Sequence, residues 1–475
     1  MNSIQRISKN ISVSLLSQIF SYIFAFFALT YSARYLGLEG FGILSVALAF
    51  TGIFTVFLDL GLNTLTVREI ARYNSLAKEY TANSMFLRIF LAIITLGVIF
   101  VITKIINYNQ ETTIIIIIIA ASMILYNFSN VFFSIFQALE KLEYISIGGL
   151  LYNIILLIGI LLLIKYHSKL LEFSSIYVIA AIILLIYAYL IFRWKLFSPK
   201  SLKWNMWKKL IKEAWPFAIS GMSFNIYTWI DSLLLSIIVG TGVVGLYNAS
   251  YRLMLIVFFI PAIFSAAIFP VMSRNYYSSK EALKVSFEKL LKILVLIALP
   301  MAIGTILIAD KIILFIYGTE YLGSVIALQI LIWSTVLMFT RVPYGMYLSA
   351  SNRQLTVTKI LIIGVIFNII LNLIVIPVYS YVGAAIVTVL TDALVLFILM
   401  AVIRNDLSIS RSVKIDLIKI LIASIIMGIC LNYFTNLNLF LIILLGTLIY
   451  IVCLIFLKIV DEDEILMIKS IFNSS

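Results

Sequence analysis

Two charged residues lie in segments that are too apolar for a soluble surface, and their neighbours favour a polar cavity inside a membrane. Residues 215–270 form two apolar segments joined by a short Gly-rich turn, and each segment is long enough to cross a bilayer core of about 30 Å. The second segment carries Arg252. The first carries polar residues at helical steps of three and four: Ser220, Ser223, Tyr227 and Asp231. Ionisable side chains at this depth normally face a bundle interior or a water-filled cavity.

A plainer reading is that Asp231 and Arg252 neutralise each other across adjacent helices. The hydroxyl stripe that leads to Asp231 exceeds what one ion pair requires, because hydroxyls in hydrocarbon need partners of their own. The sequence therefore favours a cavity that binds a polar ligand, with Tyr227, Asp231 and Arg252 among its lining residues.

Further polar rows lie on single helical faces of other spans. They are Ser14, Ser17, Gln18 and Ser21 in the first span, and Asn127, Asn130, Ser134 and Gln137 in the fourth. Such rows either hydrogen-bond to neighbouring helices or line a cavity, and both readings stay open. Amide side chains also suit sugar hydroxyls, because they offer donors and acceptors together.

Two more charges lie within or near the ends of later spans. Asp392 is close to the middle of the twelfth span, and Arg341 is near the inner end of the tenth. Arg341 is a candidate ligand of the cavity, and snorkelling to lipid phosphates is the alternative. Buried carboxylates can bind a coupling ion, so Asp392 and Asp231 are the candidates for H⁺ or Na⁺ coupling. No metal site and no other cofactor is predicted.

The composition predicts an all-α polytopic membrane protein. Of 475 residues, 63% are hydrophobic and 12% are charged, whereas soluble domains have about 25% charged residues. We predict fourteen transmembrane helices, in two six-helix lobes around a central cavity with a C-terminal helix pair. The predicted spans are 11–33, 40–62, 83–106, 113–137, 144–165, 173–193, 213–239, 244–272, 288–309, 322–350, 357–380, 382–403, 415–433 and 437–458.

The distribution of positive charge predicts the orientation. With the N-terminus inside, most of the 34 lysines and arginines fall on the cytoplasmic side. The protein is therefore expected in the plasma membrane as a multi-pass protein with cytoplasmic N- and C-termini. The net charge of +13 reflects this topology and contact with anionic lipids, and no nucleic-acid-binding module is present.

Two short sequence repeats suggest that the two lobes are a duplicated pair. Gly37 and Gly42 have the same spacing as Gly240 and Gly245, and the tetrapeptide Asn-Ile-Ile-Leu occurs at residues 153–156 and 368–371. We therefore predict a parallel repeat. The predicted parts are an N-lobe at 1–193, a basic cytoplasmic linker at 194–212, a C-lobe at 213–404, and helices 13 and 14 with a cytoplasmic tail at 405–475.

The basic linker admits two readings. Its lysines either steer an anionic substrate or simply serve as a positive-inside signal, and the sequence favours the second. No phosphate-binding loop, zinc-protease motif or nucleophile elbow occurs in the chain. The two cysteines, Cys430 and Cys453, fall inside spans and indicate no disulfide framework. The sequence thus predicts a transporter and not an enzyme.

A set of motifs in the expected order resembles one family of transporters. They are LGLEGFG at 36–42, DLGL at 59–62, REIAR at 68–72, WPFAIS at 215–220, IYTWIDSLLL at 226–235, VGLYNASYRL at 244–253, IFPVMS at 268–273, YGTEYL at 317–322, LSASNR at 348–353 and FNIILNLIVIP at 367–377. The chain resembles the polysaccharide-transporter branch of the multidrug/oligosaccharidyl-lipid/polysaccharide exporter superfamily, the Wzx-like oligosaccharide flippases.

The resemblance implies two six-helix lobes that face each other across a cavity lined by the first and seventh helices. It also implies a substrate in which a sugar chain is joined to a polyprenyl phosphate or pyrophosphate, moved from the inner to the outer leaflet. In the similar lipid II flippases an arginine of the eighth helix is important for transport, and Arg252 matches it. A second such arginine corresponds to Arg34. A further cavity arginine of those relatives has no counterpart in residues 11–33, which argues against lipid II as the substrate.

We therefore expect a flippase that works by alternating access, with the glycan enclosed by the polar faces of spans one, four and seven. Expected partners are the lipid-linked oligosaccharide, membrane lipids, and the glycosyltransferases and polymerases of the same pathway. Two alternatives remain open. One is a cation-coupled multidrug exporter of the same fold, since a fold does not determine its cargo. The other is a non-transporting scaffold for envelope assembly.

Overall fold

The structure, a computed structural model, describes residues 3–196, 204–434 and 436–459. Part of the predicted linker, 197–203, and the acidic tail at 461–464 lie outside the described residues. The described residues form fourteen α-helices with two short 3₁₀ turns. The helices are α1 Ser3–Asp59, α2 Leu62–Arg72, α3 Ala77–Ile106, α4 Gln110–Ala138, α5 Leu142–Lys165, α6 Leu170–Leu196, α7 Trp204–Ile238, α8 Thr241–Ile256, α9 Phe259–Ser278, α10 Lys280–Ile316, α11 Ser324–Ala350, α12 Gln354–Ile403, α13 Arg411–Asn432 and α14 Leu439–Phe456.

The protein is an all-α polytopic membrane protein, as the composition predicted. Ten segments of the described helices are long and apolar enough to cross a bilayer. Two of these, Ser17–Asp59 and Gln354–Ile403, each overlap two predicted spans. The helical geometry is interrupted within α1 at Gly37, where φ is 68°, and within α12 at Ser380. Glycine accepts a positive φ without the steric cost that a side chain would impose.

The helices group into two compact units, residues Met1–Gly245 and Leu246–Ser475. The first unit includes α7, which packs on α1, α2 and α3. The second unit includes α10, which packs on both α11 and α13. The predicted lobe boundary at 194–212 rests on an internal repeat and not on packing, and it stays a prediction.

A buried arginine joins four helices of the first unit. The Arg88 side chain on α3 is 2% exposed, and its guanidinium donates to the Asp59 carboxylate at 2.6 Å and to the Asn63 amide oxygen at 2.8 Å. The same group donates to the side-chain oxygen of Asn127 on α4 at 2.7 Å. Because a charge in a low-dielectric interior is stable only when paired and hydrogen-bonded, this network fixes α3 against its neighbours.

Buried polar contacts fix α13 to α10 in the second unit. Lys292 of α10 pairs with Asp416 of α13 at 2.9 Å, and the Lys292 side chain is 5% exposed. The carboxylate of Glu288 accepts hydrogen bonds from the backbone N–H and the hydroxyl of Ser410, the N-cap residue of α13. The final helix pair is therefore attached by defined polar contacts as well as by apolar packing.

The two glycine turns that share a spacing in the sequence pack against each other. A Cβ atom on Gly42 would overlap the carbonyl oxygen of Thr241, and one on Gly245 would lie 2.5 Å from the carbonyl oxygen of Leu38. Real Cβ atoms do not approach backbone oxygens this closely. The second half of α1 and the start of α8 therefore touch backbone to backbone, which only glycine permits.

We predict that Arg88→Ala destabilises the protein by about 3 kcal/mol, because it leaves the Asp59 carboxylate in the bundle without its cation. The measurement is the unfolding temperature of the purified protein in detergent. Arg72→Ala is the control, since the Arg72 side chain is 62% exposed and its pairing with Glu69 is peripheral. An equal effect of the two substitutions would contradict a structural role of the network.

We also predict that Gly42→Ala lowers the unfolding temperature. In a helix this change ordinarily stabilises by up to about 1 kcal/mol, but the added methyl group has no space beside Thr241. Gly97→Ala on α3 is the matched control, because a Cβ there meets nothing within 4 Å. If both variants were as stable as the parent protein, the close approach of the two turns would be refuted.

Candidate functional site

A polar cavity lies between α1, α4 and α5 in the first unit, and it has a volume of about 550 Å³. Amides and hydroxyls dominate the polar part of its wall, and its lining contains no charged side chain among the described residues. The polar lining residues that matter most here are Gln18, Ser21, Asn130, Gln137 and Asn153. Neutral polar walls inside a bundle of apolar helices suit a hydrophilic but uncharged ligand.

Two of the cavity amides have no hydrogen-bond partner among the described residues. They are the side chains of Asn130 and Gln137 on α4, whereas the Asn153 side chain on α5 donates to the Gly149 carbonyl at 3.0 Å. An amide within the hydrocarbon core is costly unless it is hydrogen-bonded. The half-buried Asn130 amide therefore requires water or a polar ligand in the cavity, whereas Gln137 is exposed in the last turn of α4.

The polar row of α4 could either bind neighbouring helices or line a cavity, and its members divide between these two roles. Asn127 is 4% exposed and accepts from Arg88, so it belongs to the structural network. Ser134 is buried and donates to the Val131 carbonyl on its own helix at 2.8 Å. Asn130 and Gln137 line the cavity together with Gln18 of α1.

Two predicted site residues of the second unit form an ion pair with each other. Nη1 of Arg341 on α11 lies 2.9 Å from Oδ1 of Asp392 on α12, and the side chains are 16% and 1% exposed. This pair gives Arg341 a protein partner, whereas the sequence offered a ligand of the cavity or a contact with lipid phosphates. Arg341 is not among the described residues that line the cavity of the first unit, and its role as a cavity ligand stays a prediction. The charge of Asp392 is balanced in this arrangement, so a cation would bind there only after the pair separates.

The repeated tetrapeptide has different surroundings in the two units. Asn153 lines the cavity of the first unit. Asn368 is 3% exposed; its Nδ2 lies 3.4 Å from the Thr391 hydroxyl, and its Oδ1 accepts from the Asn372 amide at 3.0 Å. The second copy of the motif thus belongs to a buried polar cluster next to Asp392, and the first belongs to a cavity.

The remaining predicted site residues lie elsewhere. Asp231 is buried on α7 and Tyr227, one turn earlier, is half-buried. Arg34 is exposed on α1, about 24 Å along the helix from Gln18 at 1.5 Å per residue. Arg252 is half-buried on α8 in the second unit. Among the described residues none of these four lines the cavity, and their roles stay predictions.

Arg88 is a buried charge that was not among the predicted site residues. Its signal in the sequence is an arginine inside the third predicted span, 83–106. Its partner Asp59 lies near the inner end of the second predicted span, a position that favours a solvated interface, whereas in the structure Asp59 pairs with the buried Arg88 at 2.6 Å. Within the described residues, no group of three or more His, Cys, Asp and Glu side chains could hold a metal ion.

Comparison with known families gives two matches. A family model described as "Polysaccharide biosynthesis protein" matches residues 7–276, which is more than half of the chain. A second model, MatE, matches residues 216–374.

Individual relatives match more loosely. "Probable flippase AglR" of Haloferax volcanii is 28% identical over 172 residues, which cover 35% of this chain and 36% of the relative. A "Putative O-antigen transporter" of Shigella dysenteriae is 25% identical over 403 residues, covering 83% of this chain and 99% of the relative. The matched stretches span between 36% and 43% of the length of AglR and two further curated relatives.

Among solved structures, "Lipid II flippase MurJ, inward closed conformation" is similar with a TM-score of 0.79 and 16% identity, over 94% of this chain and 99% of that one. At this identity the likeness establishes a shared fold. The resemblance read from the sequence motifs is confirmed by the family match. The chain belongs to the polysaccharide biosynthesis protein family, within the superfamily of multidrug, oligosaccharidyl-lipid and polysaccharide exporters.

Proposed function

We propose that this protein is a flippase. It moves an oligosaccharide linked to polyprenyl phosphate or pyrophosphate from the cytoplasmic to the outer leaflet, for assembly of a cell-surface polysaccharide or glycan. The observation that carries the proposal is a cavity of about 550 Å³ between membrane helices whose described lining has no charged side chain and includes two amides with no partner among the described residues. Relatives named as a flippase and as an O-antigen transporter support it.

The energetic task explains why such a cavity is required. A glycan carries many hydroxyl groups, and each one taken into hydrocarbon without a partner costs several kcal/mol, in the range of about 4–8 for transfer to an alkane. A polar cavity supplies those partners, while the polyprenyl chain remains among lipid tails. Passage between leaflets needs no bond to be made or broken, so the protein acts as a transporter and not as an enzyme.

The phosphate part of the substrate needs cations, which the cavity of the first unit does not offer. Arg252 is the main candidate and Arg34 the second. Guanidinium groups pair with phosphate oxygens through two parallel hydrogen bonds and stay charged in a low dielectric. Tyr227 and Asp231, on α7 of the first unit, stay separate candidates for contact with the polar head group.

The driving force is proposed to involve the second unit. The Arg341–Asp392 pair and the polar cluster around Asn368 form a buried polar region within one unit. Opening of this pair would expose the Asp392 carboxylate to H⁺ or Na⁺, and closing it would release the ion. Such a two-state element is what coupling between an ion and a cargo requires.

A cation-coupled multidrug exporter is the second candidate, and the MatE match to residues 216–374 is the observation in its favour. Three aromatic side chains, Tyr22, Tyr126 and Phe133, line the cavity of the first unit, but its described lining has no carboxylate to balance the charge of an organic cation. The missing counter-charge favours the oligosaccharide. The protein is proposed to work in the plasma membrane with cytoplasmic termini, beside the glycosyltransferases and polymerases of its pathway.

The proposal is tested by reconstitution of the protein into liposomes with a fluorescent polyprenyl-pyrophosphoryl oligosaccharide. The measurement is the fraction of the lipid that an impermeant reagent can reach on the far leaflet as a function of time. Movement that exceeds the rate in protein-free liposomes supports a flippase. Movement of a cationic dye without movement of the glycolipid would establish the multidrug alternative instead, and no movement of either would favour the scaffold.

We predict that Arg252→Ala abolishes flipping in this assay without reducing expression, because the pyrophosphate loses its charged partner. Arg252→Lys should retain part of the activity, since it keeps the charge and loses the two-pronged geometry. Arg274→Ala on α9 is the control, because Arg274 is exposed. Full activity of Arg252→Ala would remove this residue from the site.

We further predict that Asp392→Asn makes flipping independent of an imposed H⁺ or Na⁺ gradient. Asp416→Asn is the matched control, since Asp416 forms a second buried ion pair in the same unit at the same distance of 2.9 Å. Both substitutions are expected to lower the unfolding temperature, but only Asp392→Asn should change the gradient dependence. Equal gradient dependence in the two variants would show that Asp392 is merely structural.

A further inference from the structure

The cavity between α1, α4 and α5 combines features that specify the class of sugar it accepts. Its described lining contains asparagine, glutamine, serine and tyrosine side chains but no lysine, arginine, aspartate or glutamate. A phosphate or a uronic acid brings a negative charge that gives up water of hydration on binding, and no described side chain of the lining supplies a counter-charge to compensate for that loss. The cavity is therefore suited to a part of the substrate that carries no charge.

The hydrogen-bonding capacity of the cavity matches a sugar ring. Asn130 and Gln137 have both the donors and the acceptor of their amides available. Asn153 uses one donor for the Gly149 carbonyl and keeps its oxygen available. Sugar hydroxyls donate and accept at once, so they pair with amides better than with groups that only donate or only accept.

An aromatic side chain gives the cavity a fixed apolar surface. The ring of Tyr126 packs edge to face on the ring of Tyr152, with centroids 5.2 Å apart and an angle of 69°. Tyr126 remains 38% exposed and lines the cavity. The C–H face of a sugar ring packs well on such a held aromatic ring, which adds orientation to the hydrogen bonds.

The size of the cavity and its position along the helices fit a site that binds the substrate when it enters from the inner leaflet. A volume of about 550 Å³ lies within the range of roughly 300–1,000 Å³ typical of sites for small ligands. Gln137 lies in the last turn of α4, and α5 begins at Leu142. With the N-terminus in the cytoplasm, this end of both helices faces the inner leaflet, where the substrate would enter.

We propose that this cavity is a binding subsite for an uncharged sugar, in which Asn130, Gln137 and Asn153 select a neutral hexose or N-acetylhexosamine of the lipid-linked glycan over a uronic acid. This inference rests on the proposed flippase function and adds the substrate class at one site. The pyrophosphate binds elsewhere, so the subsite governs which sugar is accepted and not whether the lipid is bound.

The test measures the affinity of the purified full-length protein for three synthetic lipids. They are farnesyl pyrophosphate, farnesyl-pyrophosphoryl N-acetylglucosamine and farnesyl-pyrophosphoryl glucuronic acid. The N-acetylglucosamine lipid is expected to bind more tightly than the other two. Asn130→Ala and Asn153→Ala should each reduce that affinity by about two- to tenfold, the range for one lost hydrogen bond, and should leave the affinity for farnesyl pyrophosphate unchanged.

Two further variants keep the result independent of folding. Gln110→Ala is the matched control, because Gln110 is an exposed amide at the other end of the same helix. Gln137→Lys places a cation in the neutral cavity at nearly the same side-chain length. It should raise the affinity for the glucuronic acid lipid, a gain that misfolding does not produce.

The outcomes separate the inference from the function on which it rests. Equal binding of all three lipids would overturn the neutral-sugar subsite and leave the flippase intact, since the lipid pyrophosphate still binds. Preference for glucuronic acid by the parent protein would also overturn the subsite. Failure of all three lipids to bind would count against the flippase itself, and the subsite would fall with it.

Discussion

The structure depends on one constraint: a polar group surrounded by hydrocarbon must find a hydrogen-bonding partner. Most buried polar side chains in this protein obey it within the protein. Arg88 has three side-chain partners on α1, α2 and α4, and Lys292 is paired with Asp416. The side-chain amides of Asn130 and Gln137 have no partner among the described residues, and the buried hydroxyls of Thr30, Ser84 and Ser334 also lack one. The two amides differ from these hydroxyls because they line a cavity that has room for a polar ligand.

The same constraint explains how one tetrapeptide can occur in two different surroundings. Asn153 and Asn368 are the first residues of the two matching tetrapeptides. Asn153 lines an open cavity, whereas Asn368 is buried with Thr391 and Asn372. An asparagine can serve in either place because it both donates and accepts. In the proposed mechanism the first unit binds the sugar and the second unit responds to an ion. The two tetrapeptides would then serve different steps of transport.

The sequence predicted the fold class well and the site only in part. An apolar composition with regularly spaced polar breaks is sufficient to predict a polytopic helical protein. The sequence motifs then predicted the transporter family. The sequence also reveals how deep a residue lies along its helix. It does not give the direction of a side chain around the helix axis accurately enough to assign that side chain to a cavity or to a helix contact. Asn127 and Asn130 are three residues apart and differ by about 60° around the helix axis, and that difference separates a structural amide from a cavity amide.

The sequence also could not predict which charged residues on different helices pair with each other. Arg341 and Asp392 were each identified as intramembrane charges, but nothing in their spacing shows that α11 and α12 bring them within 2.9 Å. Likewise, Arg88 meets Asp59 only because α3 packs on the end of α1. Such contacts depend on helix rotation and packing, which a single sequence does not record.

The central claim is that the amides of the first unit line a water-filled cavity and not a dry contact between helices. It is tested most directly by cysteine accessibility in proteoliposomes, after replacement of Cys430 and Cys453. The account predicts that Asn130→Cys reacts readily with a membrane-impermeant thiol reagent, while Val131→Cys, at a position only 1% exposed, does not. Protection of Asn130→Cys to the same degree as Val131→Cys would contradict the account.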